Sequence, residues 1–110
     1  MNVSTRFLFP DFALTWLSVE NNPKLFPTTN FINITPEMIK ELNIEKGVEV
    51  SMSSFLLEAE GKKALFDTGL PFQTSKGLLD RFKELKISLD EIDYIFITHF
   101  HPDHIGGLID

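Results

Sequence analysis

Tyr94-Ile95-Phe96-Ile97-Thr98-His99-Phe100-His101-Pro102-Asp103-His104-Ile105-Gly106-Gly107 sets an apolar run directly before a window that holds all 3 histidines of the chain. Imidazole and carboxylate together suit zinc, iron or manganese, and a loop leaving a rigid strand turns several such side chains toward one point. In extended backbone alternate side chains point the same way, so His99 and His101 pair on one ion while Phe100 turns away into packing. Pro102 prevents regular strand pairing, and the turn it imposes brings Asp103 and His104 toward a second ion nearby. The Gly106-Gly107 pair lets backbone approach closely. Singly, each of these residues is ordinary: a histidine in a core or on a surface, a Gly-Gly turn. Together they differ, because polar donors packed this closely cost free energy without a cation between them.

Upstream, Val48 to Glu58 and Lys63 to Asp67 read as two strands joined by Ala59-Glu60-Gly61-Lys62, a short glycine-containing connection that predicts a hairpin. The second strand delivers Asp67 to its end, within Ala64-Leu65-Phe66-Asp67-Thr68-Gly69. A carboxylate there can accept hydrogen bonds from the histidine loop and orient it. The plainer alternative is turn chemistry, which Asp-Thr-Gly also suits.

The rest of the chain supplies a scaffold. Phe12 to Val19 is a strand, ended by Asn21-Asn22-Pro23. Thr35-Pro36-Glu37 reads as an N-cap, a first-turn proline and a first-turn acid, opening a short helix that finishes near Leu42. This stretch is read as a packing extension, with a lid or substrate wall as the alternative. Ser75 and Gly77 open a helix with Leu78, Leu79, Phe82 and Leu85 on one face and Asp80, Arg81, Lys83 and Glu84 on the other, the charges forming a solvated surface. Ser88-Leu89-Asp90-Glu91 has capping-box spacing for a brief turn, and Tyr94 to Ile97 follows as a fully buried strand. Alternation of strand and helix makes the class α/β.

At 110 residues, 43% hydrophobic and 24% charged, the chain has apolar material for one core, and its net charge of −6 argues against a nucleic-acid footprint. Phe7-Leu8-Phe9 is interrupted by Pro10 and Asp11 and no cleavage pattern follows, so no secretory signal and no membrane span is expected. Asn2-Val3-Ser4 and Asn33-Ile34-Thr35 fit a glycosylation acceptor, which matters only in a secretory compartment. The absence of cysteine excludes a disulfide scaffold, and the expected location is cytoplasmic.

H-x-H-x-D-H followed by Gly-Gly, with Asp67-Thr68-Gly69 upstream, resembles the metal-binding signature of the metallo-beta-lactamase superfamily. The resemblance covers residues 48–110, with 1–47 matching only loosely as an N-terminal extension. It implies an α/β fold, half of a four-layer αβ/βα sandwich with a mixed sheet and flanking helices. In that reading residues 1–110 are the N-terminal part of one domain whose C-terminal half is absent. The resemblance also implies two divalent ions, zinc with iron or manganese as alternatives. His99 and His101 would serve the first and Asp103 and His104 the second, with Asp67 orienting the loop from behind the ligands. A further histidine for each metal and a bridging aspartate come from a later part of the chain in this family.

The implied activity of the complete protein is hydrolysis. Two divalent ions, in general about 3.5 to 4 Å apart in such sites, would lower the pKa of a water to about 7 and supply metal-bound hydroxide for attack on carbon or phosphorus. Asp103 is then both a ligand and the catalytic proton acceptor. Histidine at the second ligand position favours hydrolases over the diiron oxidoreductase branch. The Thr-His-Phe-His-Pro-Asp-His-Ile-Gly-Gly-Leu run is similar to members acting on lactones and organophosphate esters, so the expected substrate is a small molecule with an ester-like bond. Because a catalytic zinc usually takes three protein ligands, the alternative is a catalytically silent fragment with an incomplete site. A third possibility is a homo-oligomer, or a half that needs a complementing chain.

Overall fold

Glu60 and Gly61 both take positive φ, +52° and +75°, the backbone hand that a two-residue hairpin loop requires. Around such local choices the computed structural model, which describes residues 3–21 and 24–109, sets its elements. In chain order these are β1 (Ser4–Leu8), β2 (Phe12–Ser18), β3 (Lys24–Phe26), α1 (Pro36–Glu41), β4 (Val48–Val50), β5 (Ser53–Ala59), β6 (Lys62–Phe66), α2 (Gly77–Glu84), β7 (Tyr94–Phe96) and α3 (Pro102–Ile105). They fall into two units, residues 22–51 and the remainder of the chain.

The larger unit holds a mixed sheet of order β1-β2-β5-β6-β7, antiparallel except for the parallel pair β6 and β7. Parallel strands need a long crossover, and residues 67–93, which include α2, provide it. Leu17, Leu56 and Leu65 from the sheet and Val19 just after β2 pack with Leu78 and Phe82 of α2 as the buried core. The opposite sheet face is also apolar. Trp16, Phe55, Phe66 and Phe96 stand directly opposite one another across four strands, and the Phe66 and Phe96 rings stack at 5.2 Å.

In the smaller unit β3 pairs antiparallel with β4. Thr35 caps α1 by accepting the Met38 N–H at 3.2 Å, with Pro36 in the first turn. The short helix expected from Thr35-Pro36-Glu37 is therefore present.

Several expectations need correction. The run from Val48 to Glu58 is two strands, β4 and β5, belonging to different sheets and separated at Ser51-Met52. β1 and β3 were not foreseen. Phe7-Leu8-Phe9 leads out of β1, and Pro10 and Asp11, which interrupt the apolar cluster, form the turn into β2, closed by Phe9 N–H donating to the Phe12 carbonyl at 2.9 Å. β7 is not buried: Tyr94, Ile95 and Phe96 are 55, 47 and 54% exposed, at the sheet's edge. An apolar run shows what a strand can be buried against, not that a covering layer lies within these residues.

Arg81 is not on a solvated face either. It is buried, and its guanidinium donates to Glu84 at 2.8 and 3.0 Å, to Asn21 Oδ1 at 2.6 Å and to the Glu20 carbonyl at 3.4 Å. Each of its three nitrogens has at least one acceptor, which lets a charge lie inside. Ser88 and Glu91 do form the expected capping box. The break at Asn22-Pro23 and Asn2 of the first acceptor triplet lie outside the described residues. Among the described residues no helix is long and apolar enough to cross a membrane.

Candidate metal centre

Phe66 of β6 stands opposite Phe96 of β7, so the two parallel strands end side by side and the residues that follow them meet. Asp67 follows β6 with φ +67°, a left-handed conformation that costs a non-glycine residue roughly 1–2 kcal/mol. Surrounding hydrogen bonds hold it there. Its N–H donates to the Phe96 carbonyl at 2.8 Å, and its carbonyl accepts the hydroxyl of fully buried Ser54 at 3.0 Å.

That backbone reversal aims the Asp67 carboxylate at the histidine loop. Oδ1 accepts the Thr98 N–H at 2.8 Å, and Oδ2 accepts the Thr98 hydroxyl at 2.8 Å and His104 Nδ1 at 2.6 Å. Burial by itself pushes this carboxyl up. The Thr98 backbone bond, the His104 and Thr98 side-chain bonds and the charge of His104 together outweigh burial and hold it below its ordinary 3.8.

An ionised carboxylate only accepts, so His104 Nδ1 carries a proton and, in the neutral ring, Nε2 is left as a bare lone pair. That Nε2 lies 3.3 Å from Asp103 Oδ2. Two acceptors so close repel unless a proton or a cation lies between them.

Pro102 sits in the first turn of α3 with His101 as its cap, which puts Asp103 and His104 on one helical turn. The turn is fastened from below. Thr68 donates to the His104 carbonyl through both its N–H at 2.7 Å and its hydroxyl at 3.1 Å, and Gly107 N–H donates to the Thr68 hydroxyl at 3.1 Å. A Cβ on Gly106 would lie 2.1 Å from the Pro71 nitrogen, so close approach of the two backbones requires glycine there.

The His99 ring centroid lies 3.9 Å from that of His104 and 4.7 Å from that of His101. His99, His101, Asp103 and His104 are thus brought to one loop. Still, among the described residues no three histidine or acidic side chains form a group ready to hold one ion. The donors come in pairs. Phe100 corrects another expectation: it is 81% exposed rather than packed.

The donor chemistry nevertheless suits a divalent cation. Two ligands on a tetrahedral zinc with bonds of about 2.0–2.1 Å are roughly 3.4 Å apart, close to the spacing of His104 Nε2 and Asp103 Oδ2. Sequence alone assigns no role to Ser54, Thr68 and Thr98. Ser54 carried a signal, a serine two residues from Leu56 and so on the same core-facing side of a strand.

Residues 48–110 match the metallo-beta-lactamase superfamily, and the chain belongs to it. Cleavage and polyadenylation specificity factor 73 of Drosophila melanogaster is 44% identical over 63 residues, covering 56% of this chain and 9% of its own length. Endoribonuclease ysh1 of Schizosaccharomyces pombe is 32% identical over 73 residues, 66% of this chain and 9% of its own. Among solved structures, the dizinc quorum-quenching lactonase AidC, in complex with a product N-hexnoyl-L-homoserine, aligns with TM-score 0.75 at 24% identity over 97% of this chain and 39% of its own. That likeness shows the fold, a mixed sheet with flanking helices. The chain spans less than half of each of these proteins. Because relatives include RNA-processing proteins by name, the expectation of no nucleic-acid partner is left without support.

Proposed function

We propose that this chain carries the donor loop of a metal-dependent hydrolase acting on an ester-like bond of a small molecule. The observation that carries this reading is the pair of facing acceptors, His104 Nε2 and Asp103 Oδ2, held 3.3 Å apart with Nδ1 locked on Asp67. Such a pair is stable only around positive charge. His99 and His101 would hold one divalent ion and Asp103 and His104 a second, with zinc first and iron or manganese as alternatives. Further ligands for each would come from polypeptide other than these 110 residues, which contain no other histidine and no cysteine.

When bound, the ions supply Lewis acidity and an activated water. What this chain's residues do is narrower. Asp67 fixes which nitrogen of His104 faces outward, α3 holds Asp103 beside it, and the Asp103 carboxylate would accept a proton during turnover. The alternative substrate is a phosphodiester of RNA, favoured by the relative named as an endoribonuclease. The net charge of −6 weighs the other way, because phosphate contacts are made chiefly by basic side chains.

The test is zinc titration of the purified chain by calorimetry, with His101→Ala and Asp103→Asn, followed by assays of a lactone, an aryl ester and an aryl phosphodiester. Binding lost in both variants supports the loop as the metal centre. Retained binding in both would overturn it. Turnover of lactone or aryl ester over phosphodiester supports the first substrate class and the reverse supports the second. Binding without any turnover points to an incomplete site that needs a complementing chain.

A further inference from the structure

We infer that Thr98 is a positioning residue that fixes the tautomer of His99, so that one buried carboxylate, Asp67, orients both donor pairs. Thr98 Oγ1 lies 2.8 Å from Asp67 Oδ2 and 3.0 Å from His99 Nδ1. A hydroxyl has one proton. With Asp67 ionised and therefore accepting, that proton points to Asp67, and the oxygen is left to accept from His99. Nδ1 of His99 then carries the hydrogen and Nε2 is the free lone pair. His104 reaches the same state by direct contact with the same carboxylate oxygen at 2.6 Å.

The relay therefore runs from Asp67 to His104 in one step and to His99 in two. Both imidazoles present the same nitrogen outward, and their rings lie 3.9 Å apart between centroids. Thr98 N–H also donates to Asp67 Oδ1 at 2.8 Å, which holds the Thr98 backbone beside the carboxylate that its hydroxyl contacts. A serine keeps this chemistry. A valine keeps the shape and loses the relay. The zinc part of the test rests on the metal-holding reading above; the tautomer itself does not.

The experiment is nitrogen-15 NMR of the histidine rings in the whole chain, with chelator present, at about pH 8 where free imidazoles are neutral. In the wild type both His99 and His104 should carry the proton on Nδ1. Thr98→Val should move His99 toward the Nε2-protonated tautomer and leave His104 unchanged, while Thr98→Ser restores His99. Zinc should then bind Thr98→Val about tenfold more weakly, the usual effect of losing a hydrogen-bond partner behind a ligand. A merely structural role would lower the melting temperature and leave the tautomer alone. Wild-type His99 protonated on Nε2, or a His99 indifferent to Thr98→Val, overturns the inference. A tautomer that switches in a chain that binds no zinc supports the relay and overturns the metal-holding reading instead. Thr98→Cys, a weaker donor, gives an intermediate shift and serves if Thr98→Val does not fold.

Discussion

Asp67 combines strain, burial and charge in one residue, and each has a cause in its neighbours. Its left-handed φ and four hydrogen-bonding neighbours, Ser54, Phe96, Thr98 and His104, are mutually dependent. Replacing Asp67 by Asn should cost about 1–3 kcal/mol at neutral pH, since buried or half-buried donors lose their acceptor. Because the fold lowers this carboxyl below its ordinary 3.8, the stability it adds is complete above that value and disappears as pH falls through the lowered one. Urea unfolding of wild type and Asp67→Asn with chelator present should therefore show a gap that is constant near neutrality and narrows at strongly acidic pH. A gap that widens on acidification would refute the assignment. At this scale the sequence told much: ligand-type residues and Asp67 were visible from spacing and turn chemistry. Ser54, Thr68 and Thr98 were not, because a hydroxyl's partner depends on which strands become neighbours.

Elements were legible where their signals were local. The hairpin at Glu60-Gly61, the cap at Thr35 and the capping box at Ser88 all use residues within four positions of one another. The strand from Val48 was misread because composition does not mark where one sheet is left for another, and β1 was missed because Pro10-Asp11 was read as an interruption rather than as a turn. Arg81 shows the same limit in a helix. Helical periodicity places it outward, yet Asn21, far away in sequence, gives the buried guanidinium a partner. Arg81→Ala should thus destabilise the chain by about 2 kcal/mol, from lost hydrogen bonds and lost packing of the aliphatic stem. Lys83→Ala, on the exposed side of α2, should change stability by less than about 0.5 kcal/mol. Chemical denaturation of the two variants in parallel checks this, and equal effects would contradict the buried placement.

For the whole molecule, the uncovered aromatic face matters most. Phe55, Tyr94 and Phe96 are 39, 55 and 54% exposed and share it with Trp16 and Phe66, and exposed aromatic side chains gathered on one face are the kind of surface that marks an interface. Purified chain should self-associate at micromolar to millimolar concentration, with a blue shift of Trp16 emission on concentration, and Phe55→Glu should suppress both; a chain that sediments as a monomer throughout would count against it. The fold class was readable from alternating strands and helices, whereas this second apolar face could be seen only once the registers of four strands were known. The parallel pairing of β6 and β7 has a kinetic side as well. β1 with β2 and β5 with β6 close over short turns, but β7 reaches β6 only after residues 67–93 have been wound across, and long-range closure comes late because its entropy is lost before contacts repay it. The donor loop should consequently assemble after the rate-limiting barrier. Thr98→Ala, which removes the hydroxyl bond between the segment after β7 and Asp67, should speed unfolding while leaving the folding arm of the chevron nearly unmoved, so the donor loop would be the last part to become native and the first to be surrendered.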